Sequence, residues 1–287
     1  MGQQAQRTAR RRRLGAELRA LREAARVSPE EAAVAIHGDR SKISRQETGR
    51  HRVTRLELDV LLSLYKVKDE KTRECLVALA AEGHKRSWWH QHGDALSASF
   101  KELLTLESEA TDVYAFQSQV VPGRLQTRAY AATVMTGSDP LPQEELEFYI
   151  DLRMKRQEVF QQANPPSYQC IVPEGVLRQQ IGGPAVMAEQ LRRLVCFSQL
   201  TGVTIQVIPL CQSAFICTGG SFVIYSYPRP MGLDVVQVEY LDGTLYLEED
   251  ETVAKYQRAW GRLCATALPA QRSIELIESI TRELESE

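Results

Sequence analysis

The chain of 287 residues is long enough for two domains, and its 43% hydrophobic and 25% charged residues are typical of a soluble globular protein. No apolar run approaches the ~20 residues that span a bilayer, so we expect no membrane contacts. The six cysteines are scattered and form no C-x-x-C pair, which favours reduced thiols in a cytoplasmic protein. Residues 1–55 hold 14 basic and 6 acidic residues, whereas the remainder holds 21 basic and 31 acidic ones. This asymmetry predicts that the basic head contacts a polyanion and that the acidic body does not.

The N-terminal segment begins with an arginine run and continues into a helix. Residues 1–13 carry basic residues with no apolar stretch after them, so they are not a signal peptide, and we expect them to form a disordered basic arm. The next segment, 14–25, places Leu14, Leu18 and Leu21 at helical spacing. It therefore predicts the first helix of an N-terminal domain.

The residues that follow predict two helices separated by a tight turn. Ser28 and Glu31 form a capping box at the start of one helix. Gly38 is free to adopt a positive φ in the turn, and Asp39 is positioned to cap a short helix over 40–47. A helix, a glycine turn and a short basic helix are the order of a helix-turn-helix domain.

The short helix and the segment after it are expected to bind double-stranded DNA. The second helix of such a motif lies in the major groove, where arginine can hold guanine with two hydrogen bonds. Arginines in the following loop suit the phosphate backbone. A merely solvated basic helix is the alternative, and the charge asymmetry favours DNA. The predicted DNA-binding residues are Arg40, Ser41, Lys42, Ser44, Arg45, Arg50, His51, Arg52 and Arg55.

Two residues near this helix carry further expectations. Ile43 should turn inward and anchor the helix, so that Arg40, Ser41, Ser44 and Arg45 face the groove. Gln46 occupies a position where a packed helix prefers an aliphatic side chain. We expect it at the edge of the small core, with its amide reaching solvent, a backbone group or a phosphate.

The predicted fold class is α+β, with an all-α helix-turn-helix domain over 14–87 and a larger mixed α+β domain over 88–287. A helix after residue 54 is expected to carry Leu56, Val60, Leu61 and Leu64 on one face. Further helices are predicted near 69–86, 98–112, 124–135, 142–163, 184–200, 250–267 and 270–285. Strands are predicted at 167–172, 203–210, 220–227, 234–241 and 244–249, with an Asp-Gly hairpin turn between the last two.

No pattern indicates catalysis, a cofactor or a metal site. The chain lacks G-x-S-x-G, and no carboxylates are spaced in a way that pairs them across a cleft. His84, His90 and His92 lie near one another, but His90 and His92 do not share a helix face and a third ligand is lacking except Asp94. We therefore expect a binding protein and not an enzyme.

Residues 14–65 resemble lambda-repressor/Cro-like (xenobiotic-response-element type) helix-turn-helix domains. The resemblance is carried by "LGAELRALREAARVSPEEAA" and "SKISRQETGRHRVT". Pro29 departs from the family pattern, because it replaces a glutamine that usually touches a phosphate. Gln46 is the second departure, because Ile or Leu usually packs there. Cro-like heads usually bind inverted repeats as dimers, so the resemblance implies a homodimer.

The remainder resembles the uncharacterised domain that follows the helix-turn-helix in a large actinomycete family of antitoxin-like transcriptional regulators. The segments that carry this are "RSWWHQHGD", "LESEATDVYAFQSQVVPGRLQT", "PEGVLRQQIGGPAVMAEQLRRL" and "YLEED", with Arg124 in place of a usual leucine. Members are often linked to development, and their genes often neighbour one for a small partner protein. The resemblance implies a small cognate protein as partner of the C-terminal domain. A small-molecule sensor is the alternative, and an enzyme that uses DNA only for location is a third possibility.

Overall fold

A computed structural model describes residues 8–81, 89, 96–138, 141–211, 219–228, 234–241 and 243–286. The chain divides into two compact units, one of Met1–Ala110 with Ser226–Val235 and one of Thr111–Tyr225 with Val236–Glu287. The sequence-predicted boundary at residue 88 and the three histidines at 84, 90 and 92 lie outside the described residues. Within the described ranges, no helix is long and apolar enough to cross a membrane.

The first unit is helical, as predicted. Its helices are α1 (Ala9–Ala24), α2 (Pro29–Ala35), α3 (Arg40–Glu47), α4 (Arg55–Leu64), α5 (Glu70–Ala80) and α6 (Ala98–Glu109). The apolar face predicted for α4 is only partly the face that packs into the core. Leu58, Leu61 and Leu62 are buried, whereas Leu56 is 79% and Val60 38% exposed. The leucine-rich segment contains two overlapping series of apolar residues at helical spacing. The series of Leu58, Leu61 and Leu62, which continues at Tyr65, packs inward.

Helix α1 begins five residues before the predicted start, which corrects the expectation of a disordered arm up to residue 13. Thr8 caps the helix, since its hydroxyl accepts from the backbone N–H of Arg11. The arginines in the first turns also have partners on α6. Arg12 bonds to Glu102 at 2.8 Å, and Arg10 lies 3.0 Å from Glu109. These ion pairs favour a helix where composition alone suggested an arm.

The second unit is a mixed α+β domain, so the predicted α+β fold class is confirmed. Its helices are α7 (Arg128–Ser138), α8 (Gln143–Arg156), α9 (Glu174–Arg178), α10 (Pro184–Ser198), α11 (Asp250–Thr266) and α12 (Ala270–Ser286). The described strands of the chain are β1 (Asp112–Phe116), β2 (Ser167–Pro173), β3 (Val203–Ile208), β4 (Phe222–Ser226), β5 (Asp234–Tyr240) and β6 (Gly243–Leu247). Short 3₁₀ turns cover Gly123–Leu125 and Gln157–Gln161.

The strands form one sheet in the order β3-β2-β1-β4-β5-β6. Strands β1, β2 and β3 run parallel, and β5 pairs with β6 as an antiparallel hairpin. The hairpin register pairs Tyr240 with Gly243. The predicted turn with Asp-Gly at its centre would instead pair Leu241 with Thr244, so both paired residues lie one position earlier than predicted. One face of the sheet carries an apolar cluster that includes Phe116, Ile171 and Val236, against Trp260 and Leu263 of α11.

Candidate nucleic-acid interface

The α2–α3 turn is fixed by caps on both helices. Ser28 and Glu31 make the predicted capping box, in which each side chain bonds to the backbone N–H of the other residue. Asp39 caps α3 by accepting from the backbone N–H of Lys42 at 2.7 Å. The positive φ in the turn belongs to His37, at 51°, and not to Gly38. Gly38 is nevertheless required to be small, because a Cβ there would lie 2.9 Å from the Lys42 side chain.

Helix α3 has the predicted orientation. Ile43 is 1% exposed and packs inward, whereas Arg40, Ser41, Ser44 and Arg45 are exposed. Arg40 lies 3.1 Å from Glu30, and the Ser41 hydroxyl donates to Asp39. The Arg45 guanidinium makes no hydrogen bond or ion pair with any described residue. The outer face of α3 therefore presents cations and hydroxyls that can donate to base edges.

Lys42 differs from the other predicted contact residues on α3. Its Nζ lies 2.6 Å from Glu57 at the start of α4, and both side chains are largely buried. Lys42 thus joins the two helices, and the structure does not group it with the exposed residues of α3. No sequence argument had assigned a role to Glu57, although the pattern Thr54-x-x-Glu57 is a capping-box signature.

Gln46 is buried, at 2% exposure, and lies deeper than the predicted edge of the core. Its amide nitrogen donates to the backbone carbonyl of Arg52 at 3.2 Å and to Glu57 at 3.0 Å. The expected bond to a backbone group is therefore present. Glu57 accepts from Gln46, Lys42 and the Thr54 backbone N–H, so one carboxylate connects α3 to the cap of α4.

These bonds outweigh the cost of burying the Glu57 carboxylate. Burial acts to raise the pKa of Glu57, but the hydrogen bonds from Lys42 and Thr54 hold it below the ordinary value. The charged form of Glu57 is thus the form that the head stabilises. A neutral carboxylic acid would weaken its contacts with the Lys42 ammonium and the two amide donors.

The segment after α3 presents a second group of cations. Arg50, His51, Arg52 and Arg55 are all exposed. The backbone N–H groups of Arg50 and His51 both donate to the carbonyl of Arg45, which ties this segment to the C-terminal end of α3. Arg55 lies in the first turn of α4, 3.1 Å from Asp59. These four residues come directly after α3 in the chain, where the sequence predicts contacts with DNA phosphates.

Helix α3 is held against α1 by two close approaches and one ion pair. A Cβ on Gly15 would lie 2.5 Å from the backbone oxygens of Gln46 and Glu47, and a Cβ on Gly49, where φ is +70°, would meet the α1 backbone at 2.8 Å. Arg22 bonds to both carboxylate oxygens of Glu47, at 2.5 and 3.1 Å. The hydrogen bond to Glu47 raises the pKa of Arg22 above its ordinary value.

Two family models match this chain. Residues 13–75 match a model described as a helix-turn-helix domain, and residues 100–279 match a domain of unknown function, DUF5753. The chain belongs to the DUF5753 family. The helix-turn-helix match agrees with the geometry of α2 and α3 and indicates a DNA-binding regulator. No curated protein and no solved structure matches the chain.

The DUF5753 region contains a network of buried amides around the segment "PGRLQT". Gln126 donates to Val121, Gln157 donates to the carbonyl of Gln126, and Gln190 bonds to both Leu125 and the backbone N–H of Thr127. The network joins the segment at Gly123–Leu125 to the 3₁₀ turn that follows α8 and to α10. Because these amides bond to the protein itself, they serve the fold and lend no support to the small-molecule sensor.

The described residues contain no group of three or more His, Cys, Asp or Glu side chains that could hold a metal ion. His84, His90, His92 and Asp94, the candidate ligands named from the sequence, lie outside the described residues. Arg124, which replaces a leucine of the resembled family, is buried beside the amide network in the 3₁₀ turn.

Proposed function

We propose that the protein is a sequence-specific transcriptional regulator, an antitoxin-like repressor of nucleoid DNA, that reads its operator with α3. The observation that carries this proposal is the outward face of α3, on which Arg40, Ser41, Ser44 and Arg45 are exposed. The opposite face of the same helix is buried at Ile43 and Gln46. A helix held on one side by the core and lined with donors on the other suits the major groove.

The two groups of cations have different roles in this proposal. Arg40 and Arg45, with the two serines, contact base edges and provide sequence selectivity. Arg50, Arg52 and Arg55, with His51, bind phosphates and provide affinity that depends on salt. Lys42 acts within the head by holding Glu57, so its contribution to DNA binding is indirect.

A comparison of two substitutions tests these roles. Selection of random duplexes by the full chain first defines the operator, and affinities for operator and unrelated DNA are then measured. Arg45→Ala should lose about 1–3 kcal/mol of discrimination at one base pair. Arg52→Ala should weaken binding to every sequence and reduce its salt dependence. Arg272→Ala, at an exposed arginine of α12, is the matched control. Unchanged selectivity in Arg45→Ala would contradict the assigned reading face.

The remaining parts of the proposal concern assembly. One short helix reads few base pairs, so we infer that two copies bind an inverted repeat. The acidic C-terminal domain then mediates dimerisation and binds a small cognate protein encoded by an adjacent gene. The charge asymmetry of the sequence supports this division, because a negatively charged domain is repelled by DNA and is free to contact proteins.

A further inference from the structure

The two edges of the β-sheet differ in how they are covered. At the β3 edge, the backbone N–H of Val207 donates to Ser273, and its carbonyl accepts from Leu268. The Gln206 side chain also donates to Leu268, so the chain before α12 closes this edge. Strand β6 is the last strand at the other edge, and the described residues add no further strand beside it.

Strand β6 and its turn also expose apolar side chains. Leu247 and Val238 pack against the cluster under α11. On the same face, the register places Leu245 opposite Val238 and Tyr240 opposite Gly243. Leu245 is 49% and Tyr240 53% exposed, and Leu241 is fully exposed. The apolar face of the sheet therefore continues beyond the part that α11 covers.

An edge of this kind is unusual in a protein that has no partner. Natural edge strands are commonly protected by lysine, proline or a bulge, because an open edge pairs with other strands. The strand "GTLYL" contains neither lysine nor proline and pairs with β5 in an unbroken register from Gly243 to Leu247. Its combination of an open edge and exposed leucines fits the addition of a strand from another chain.

The charge around this edge indicates what kind of strand it accepts. Glu239 lies on β5, and Glu248, Glu249, Asp250 and Glu251 follow β6 directly. One of these acids, Glu251, pairs with Lys255 of α11. An antiparallel second copy of β6 would bring the acids after one strand towards the acidic hairpin of the other. A partner segment flanked by lysine or arginine would instead meet opposite charge.

We propose that the β6 edge is the docking site of the partner protein, which adds a strand of alternating apolar residues flanked by basic side chains. This assignment rests on the proposed partner-binding role of the C-terminal domain and gives it a surface. Backbone hydrogen bonds to β6 provide the affinity, contacts with Leu245 and Tyr240 fix the register, and the acids select a basic flank.

The hairpin geometry identifies a substitution that blocks the β6 edge and leaves the hydrogen bonds between β5 and β6 intact. A hairpin with two connecting residues closes on a hydrogen-bonded pair, so bonds to β5 fall at Gly243, Leu245 and Leu247. The backbone N–H of Thr244 then points to the open side. Proline is tolerated at such an edge position, where it removes only the outward donor. Thr244→Pro is therefore the blocking variant, and Thr244→Ala is its matched control.

The probe is a short fluorescent peptide of alternating Val and Thr with two lysines at each end, titrated into the full chain and followed by anisotropy. We expect saturable binding that weakens at least tenfold in Thr244→Pro and changes less than about twofold in Thr244→Ala. The same peptide with glutamate flanks should not bind. Leu245→Lys is a second blocking variant, and circular dichroism verifies that each variant is folded.

Three results would overturn the assignment. One is equal binding of the lysine- and glutamate-flanked peptides, and another is unchanged binding in both blocking variants. The third is a dimer, seen by analytical ultracentrifugation, that Thr244→Pro dissociates while the basic peptide fails to bind, since the edge would then belong to a second copy. Operator binding is measured in parallel. If the wild-type chain does not bind operator DNA, the proposed function is refuted. The peptide results test only the assignment of the β6 edge.

Discussion

At the scale of single residues, the polar Gln46 on the buried side of α3 is explained by Glu57, a residue to which no local sequence pattern connects it. Gln46 looks misplaced in the sequence because its partner, Glu57, is eleven positions away on another helix. A local pattern identifies caps and faces, and the caps at Ser28 and Asp39 were predicted correctly for that reason. A contact between two helices depends on their packing, which no local pattern contains.

The shared role of Glu57 gives a prediction for Glu57→Ala. This change removes a capping-box acid and also leaves the buried Gln46 amide without a carboxylate acceptor. We expect the free energy of unfolding to fall by about 2–4 kcal/mol, as the sum of a lost cap and an unsatisfied amide. Urea denaturation measures it. Glu31→Ala is the control, because Glu31 serves the α2 capping box and, among the described residues, bonds to Ser28 alone. Equal losses in the two variants would show that Glu57 is only a cap.

At the scale of elements, periodicity predicted most helices and five of the six strands of the described sheet, with strand ends shifted by at most two residues. Strand β1 was missed; two residues separate it from the end of α6, and its first residue, Asp112, was included in the helix predicted over 98–112. The start of α1 was missed because its ion pairs with α6 join residues about 90 positions apart. Propensity is a local quantity, and these two outcomes were decided by tertiary contacts.

The contact between α1 and α3 predicts an unusual response to Gly15→Ala. Alanine is a better helix former by about 1 kcal/mol, but here its Cβ would collide with backbone oxygens of α3 at 2.5 Å. We expect a net loss of about 1–3 kcal/mol of stability and weaker operator binding, because α3 must move. Gly261→Ala in α11 is the matched control, since no atom lies within 4 Å of the added Cβ. Thermal unfolding should show that variant to be unchanged or more stable.

At the scale of the whole molecule, the sequence composition predicts a basic head and an acidic body. The structure shows which of the basic residues of the head form ion pairs within the protein. Not all of the basic residues are available to a polyanion. Arg10 and Arg12 pair with α6, Arg22 with Glu47 and Lys42 with Glu57. The sequence alone could count these charges but could not tell the internal pairs from the exposed arginines. The contact surface is therefore smaller than the net charge of the head implies.

The exposed arginines give a quantitative prediction for the intact protein on its operator. Arg50, Arg52 and Arg55 offer three phosphate contacts per head, or six for two heads on an inverted repeat. The logarithm of the binding constant should then fall against the logarithm of the salt concentration with a slope of about −5, against about −3 for a single head. Between 50 and 200 mM salt this is a loss on the order of 10³ for a dimer and about 40-fold for a monomer.

Titrations of the wild-type chain at several salt concentrations measure the slope. Arg52→Ala should reduce its magnitude by about 2 if two copies bind and by about 1 if one binds. A slope near zero would exclude these arginines as phosphate contacts, because an exposed cation that neutralises a phosphate must release a counterion.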